Sequence, residues 1–139
     1  MFALPSQPID LYRQVDTVTS VYQASPHKLV LLLLDGAIAA VLQARHAMET
    51  GDTETRISTL SKAMRIIDEG LKASVESDAD PSLAENLRSL YDHMVSRLFI
   101  ANLHVSDVPL VEVARLLGDL RATWAEIGPV TQLNSTLQA

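Results

Sequence analysis

Residues 25–44 read SPHKLVLLLLDGAIAAVLQA. Ser25 followed by Pro26 is a helix start: a serine N-cap can accept from a free backbone N–H, and a proline at the first helical position gives up only a donor that had no partner. At about 100° per residue, the helix that follows carries apolar side chains on two sides. Val30, Leu34, Ala37, Ile38, Val41 and Met48 line one face, and Leu29, Leu32, Leu33, Gly36, Ala39, Ala40 and Ala47 line another. Only a narrow strip through Lys28, Asp35, Gln43 and His46 is polar. A bundle core covers one face of a surface helix. The other needs a central position in the bundle, the N-terminal segment or a second protein, and the wheel leaves open which face is core.

The punctuation outward from this stretch is that of a helical bundle. ETGDTE at 49–54 ends the first long helix, with Gly51 suited to a left-handed position and Asp52 or Thr53 able to cap a second helix running to about Ser77. Asp80 before Pro81 starts a third, to about Val105, and SDVP starts a fourth, which Gly128-Pro129 stops after about Ile127. Connections this short make successive long helices antiparallel neighbours. The expected core stripes are Ile57, Leu60, Met64, Ile67, Leu71 and Val75 on the second helix, and Leu83, Leu87, Leu90, Tyr91, Met94, Leu98, Ala101 and Val105 on the third. Val113, Leu117, Leu120, Trp124 and Ile127 follow on the fourth. Beside the second stripe runs a shoulder of Ala63, Ile66, Gly70 and Ala73, small enough in part for another backbone to approach closely.

The fold class is therefore all-α: an antiparallel four-helix bundle over residues 25–127. Residues 1–24 form an N-terminal segment, mobile or docked as a short helix, in which Leu11, Tyr12, Val15, Val18 and Tyr22 would share one side, and 128–139 an uncharged tail expected to be disordered.

Composition excludes more than it includes. At 139 residues the chain can bury a core without disulfides or metal, and its zero cysteines rule out a disulfide framework and thiolate metal sites. A net charge of −6 with scattered basic residues argues against nucleic acid, and 4% aromatic residues leave few stacking platforms. The apolar run at 29–44 is sixteen residues long and holds Asp35. That is short of the roughly 20 needed to cross a bilayer, and the N-terminus lacks the pattern of a secretory signal. The expectation is a soluble, cytoplasmic protein.

The chemistry of an enzyme is not legible. There is no Glu-x-x-His pair of the di-iron bundles, no phosphate-cradling or dinucleotide glycine pattern, no HExxH and no GxSxG. His27, His46, His93 and His104 are spaced too irregularly for acid–base work, and His27 is expected at the surface. Asp35 amid leucines must be solvated or hydrogen-bonded, which suits a structural or partner-contact role. No catalytic, cofactor or metal site is expected.

ASPHKLVLLLLDGAIAAVLQAR at 24–45 resembles the signature segment of the flagellar secretion chaperones of flagellin, the FliS family. SKAMRIIDEGL at 61–71, NLRSLYDHMVSRLFIANL at 86–103 and LRATW at 120–124 resemble that family's later helices, in order and at the right separations, and Tyr12 stands where the family has an N-terminal tyrosine. Leu34 departs from it, since an aromatic usually precedes the Asp-Gly pair. The resemblance implies an antiparallel four-helix bundle with a short N-terminal helix, acting in the cytoplasm without ATP. It implies a client, the disordered C-terminal segment of flagellin, which wraps the bundle largely as helices, is kept from premature polymerisation and is handed to the membrane export gate. It also implies that the N-terminal segment can lie over the binding surface. The alternative is a self-associating structural bundle without a flagellin client, whose second apolar face closes a homodimer.

Joined to the wheel, this points to a binding surface of Leu29, Leu32, Leu33, Gly36 and Ala40 on the first long helix with Ala63, Ile66 and Gly70 on the second. Tyr12 and Val15 would cover it. These positions come from helical geometry and are not contacts assigned by the family.

Overall fold

A computed structural model describes residues 25–75 and 80–128. The readings made of the N-terminal segment, Tyr12 and Val15 included, and of the tail after Gly128 lie outside those residues. The elements are α1 (Pro26–Thr50), α2 (Thr53–Arg65), α3 (Pro81–His104) and α4 (Val108–Ile127), with no strand among the described residues.

The helix ends are where the residue types put them. Ser25 Oγ accepts from the Lys28 N–H at 3.1 Å, with Pro26 next in line. Gly51, at φ 73°, closes α1: the Gly51 N–H donates to Met48 O, and the Asp52 N–H donates to Ala47 O at 2.8 Å. This left-handed closure is open to glycine at no steric cost. Asp52 then caps α2 through the Thr55 N–H, and Asp80 caps α3 through the N–H groups of Ser82 and Leu83. α3 ends less comfortably on Val105, at φ 49°, a left-handed conformation that a β-branched residue adopts only under strain.

The expectation of one regular second helix to Ser77 needs correction. α2 is α-helical only to Arg65, and Ile66–Lys72 continues it as a π-helix. The apolar stripe survives this change, because Ile67 and Leu71 remain fully buried.

Cross-helix pairs fix the packing. His27 meets Trp124, Asp35 meets Arg121 and Arg45 meets Asp107, so α1 and α4 run in opposite senses. Arg56 with Asn102, Lys72 with Asp92, and Arg88 with Val75 O give the same opposition between α2 and α3. Gly36 faces Ile66 and Gly70 faces Leu33, which does so for α1 and α2. Each helix packs mainly against its two sequence neighbours around the ring, α1 closing on α4.

The core is filled by Leu34 and Val41 from α1, Leu60, Ile67 and Leu71 from the second helix, Met94 and Leu98 from α3, and Leu110, Val113 and Leu117 from α4. Each such side chain contributes about 1.5–3 kcal/mol of transfer free energy, most of it offset by the entropy of ordering the chain. Of the expected stripes, Ile57, Leu83, Val105 and Ile127 are exposed. They stand in the first two turns, at the last residue or, for Val105, just past the end of their helices.

By length and composition α1 is apolar enough to cross a membrane, which the count of sixteen apolar residues did not anticipate, because the helix extends to 25 residues. Leu34, Ala37, Ala40, Val41, Ala44 and Ala47 of this helix are buried in the bundle. About a third of the apolar stretch is thus buried inside the bundle.

Candidate protein-binding surface

The core side of α1 is the Leu34, Ala37, Val41 face, joined by Ala40 and Ala47 from the other face. The second apolar face is thus divided. Ala40 is 1% exposed and Ala63 0%, so these two lie sealed in the α1–α2 seam and are core, not contact surface as the wheel suggested. Their small side chains let the helices approach closely, and that approach buries them. Leu29, Leu32, Leu33, Gly36, Ile66 and Gly70 remain half-buried, and of these Leu33 meets Gly70 and Gly36 meets Ile66 along the rim of the same seam. Leu32 stands four residues after exposed Lys28 and three before exposed Asp35, on the outer strip of α1.

The rim is held by reciprocal contacts. A methyl group added at Gly70 would lie 2.9 Å from Leu33 Cδ2, and one added at Gly36 would lie 3.5 Å from Ile66 Cδ1. Leu33 and Ile66 also pack on the core cluster. Four of the ten expected site residues therefore meet across one seam, Ala40 and Ala63 are buried, Leu29 and Leu32 are half-buried on α1, and Tyr12 and Val15 lie outside the described residues.

A second apolar region was not foreseen. Phe99 is 59% and Leu103 64% exposed, four residues apart on α3, and Leu42, Ile57, Val108 and Val111 are also exposed. By the cross-helix register all of these belong to the end of the bundle that carries the α1–α2 and α3–α4 corners. The i, i+4 spacing of Phe99 and Leu103, off the main stripe of α3, was the readable signal; Ile57 had been counted as core. Phe99 and Leu103, one turn apart on α3, share a helix face.

The polar groups around these surfaces are tied to one another. The Arg121 guanidinium donates to both oxygens of Asp35, at 2.9 and 3.5 Å, and Arg45 donates likewise to Asp107, at 2.8 and 3.3 Å. Asp35 is thus exposed and paired, in keeping with a structural role. Glu112 accepts from His93 Nε2–H at 2.7 Å and from Arg97 at 2.9 Å. Those bonds, His93 first, hold its carboxyl below the ordinary glutamate range. His27, expected at the surface, is half-buried there: its ring stacks on Trp124 with centroids 5.5 Å apart, its Nε2–H donates to Trp124 O, and the Trp124 indole N–H donates to His27 O. This clasp joins the start of α1 to the last turn of α4. No group of three or more metal-ligating side chains comes together among the described residues.

The described residues form an all-α helical bundle with half-buried and exposed apolar side chains on its surface. Its place among such bundles is given by its relatives. The chain belongs to the FliS family of flagellar proteins, whose family model matches residues 8–131. It is 41% identical over 121 residues to the flagellar secretion chaperone FliS of Salmonella typhimurium, covering 87% of this chain and 90% of that protein. It is 34% identical to the Escherichia coli chaperone of the same name, over 83% of this chain and 85% of that protein. To the Bacillus subtilis one it is 31% identical, over 86% and 84%. The family is thus one of flagellar secretion chaperones.

Proposed function

We propose that this protein is the cytoplasmic export chaperone of flagellin: it binds the disordered C-terminal segment of newly made flagellin, prevents premature polymerisation and delivers the subunit to the flagellar export apparatus. The observation that carries this reading is the half-buried apolar rim of Leu29, Leu32, Leu33 and Ile66 in a chain of this family. An amphipathic client helix laid along such a rim buries its own apolar face, which is recognition of a helix in a groove. The exposed Phe99–Leu103 region offers a second contact to a client that wraps the bundle. The chaperone acts by binding, with no bond made or broken.

The energetics suit temporary custody. At about 25 cal/mol per Å², a thousand Å² of apolar burial is worth roughly 25 kcal/mol gross. Ordering a disordered client and losing rotational and translational freedom offset most of it. Moderate net affinity allows release.

The test is isothermal titration of the protein with a synthetic peptide from the C-terminus of the same organism's flagellin, with circular dichroism of the mixture. Saturable binding, a negative heat-capacity change and helix beyond the sum of the parts are expected. No heat and no helix gain, with the bundle folded, would remove flagellin as the client and favour a self-associating bundle, whose sedimentation would then depend on concentration.

A further inference from the structure

Three of the four helices fill the core with one rhythm. On α1 the buried residues Leu34, Ala37, Val41 and Ala44 are spaced by three, four and three. On α3 Tyr91, Met94, Leu98 and Ala101 repeat that pattern, and on α4 Leu110, Val113 and Leu117 begin it again. Alternating steps of three and four stay close to the α-helical period and keep a stripe on one side. The second helix departs from the rhythm. Leu60, Ala63, Ile67 and Leu71 are fully buried and Val75 packs against the same cluster, so that after one step of three come three steps of four.

In an α-helix a step of four overshoots a full turn by about 40°. Three in succession would carry Val75 about 120° past Ala63 and out of the core. The stretch Ile66–Lys72 prevents this by being π-helical. Its hydrogen bonds reach one residue further than those of an α-helix, so a turn holds roughly one residue more. A step of four then falls short of a full turn, and Leu71 and Val75 come back to the stripe. The outward residues of the wide turn are Asp68 and Glu69, both exposed, and Glu69 pairs with Arg65 at 3.4 Å on the solvent side.

We propose that the second helix carries one inserted residue and that the π-helical stretch is the device that stores it. With one outward residue removed from Ile66–Lys72, the steps from Leu60 to Val75 become three, four, three and four, the rhythm of the other helices, and an uninterrupted α-helix reaches the same core. π-Helix is rare and occurs mostly as single wide turns of this kind inside α-helices. Gly70 adds the lower helix propensity of an interior glycine. The inserted residue is therefore held at a cost in stability, and it makes the end of the second helix open more readily than the α-helical part before it.

The experiment is deletion of Glu69, with deletion of Ser96, likewise exposed on α3, as the contrast. Without Glu69 the protein is expected to stay helical by circular dichroism and to melt about 4 °C higher or more. Amide hydrogen exchange at residues 71–73, measured against residues 60–63 of the same helix, is expected to slow by at least about tenfold. Deletion of Ser96 breaks a regular alternation between Met94 and Leu98, and is expected to lower Tm by roughly 10 °C or more or to prevent folding. A variant without Glu69 that is unfolded, or no more stable than wild type, overturns the insertion, because the core would then need that residue. Unchanged exchange at residues 71–73 overturns it as well, and so does equal tolerance of the two deletions, since core spacing would then govern neither helix.

Discussion

Two glycines on the same seam should respond to the same substitution in opposite ways. Replacing a helix-interior glycine by alanine gains up to about 1 kcal/mol from backbone propensity. At Gly36 the new methyl would meet Ile66 Cδ1 at 3.5 Å, an ordinary contact, so G36A keeps that gain. For a folded region of about 100 residues it raises Tm by about 4 °C per kcal/mol. At Gly70 the methyl would lie 2.9 and 3.3 Å from the two methyls of Leu33. Leu33 is packed on the core as well, so it leaves its rotamer or pushes α1 outward, and overpacking of this kind costs about 1–3 kcal/mol. The net effect of G70A is a loss of about 0–2 kcal/mol. Thermal and urea unfolding followed by far-ultraviolet circular dichroism would separate the two. L33A should remove the clash, so G70A/L33A should be less destabilised than the sum of the single changes. Equal and upward shifts of G36A and G70A, or strict additivity with L33A, would refute the account of Leu33 as filling the space beside Gly70 while the space beside Gly36 stays open.

Three further outcomes are expected. Val105→Gly relieves a left-handed β-branched residue that is half exposed and should stabilise the protein by about 1 kcal/mol in urea unfolding; a loss of stability would show that the valine side chain is needed where it stands. Because hydrogen bonds from His93 and Arg97 hold the Glu112 carboxyl below its ordinary value of 4.5, the folded form is favoured above that value, and the benefit fades as pH falls through the depressed one. The gap in Tm between wild type and E112Q should accordingly be widest near neutrality and narrow below about pH 4.5, and a gap independent of pH would exclude the linkage. The His27–Trp124 clasp should give a coupling of about 0.5–1.5 kcal/mol in a double-mutant cycle of H27A and W124F. Trp124 is the single tryptophan of the chain, so its emission should change in H27A, and zero coupling would mean that the rings are neighbours without being partners.

Local rules were enough for the helix ends. Ser25 with Pro26, Gly51 with Asp52 and Asp80 with Pro81 each satisfy or omit specific backbone groups, and the chain has no other economical use for those residue types in that order. The same holds for core residues at helical spacing, since Leu60, Ile67, Leu98 and Leu117 are buried by any arrangement that turns their stripes inward. The match to the family rests on the same residues and was equally open to reading, because its segments are the helices themselves.

What the sequence could not determine was which of two apolar faces of α1 is inside. Both satisfy the hydrophobic effect, which has no direction of its own, and only the close approach of α1 to α2 sends Ala40 and Ala63 beneath the surface while leaving Leu29, Leu32, Leu33 and Ile66 on the rim. The filling of the space beside Gly70 by Leu33 and the stacking of His27 on Trp124 are likewise tertiary contacts. The residues of each pair lie far apart along the chain, and their contact is set by how close two helices come, which depends on every side chain between them.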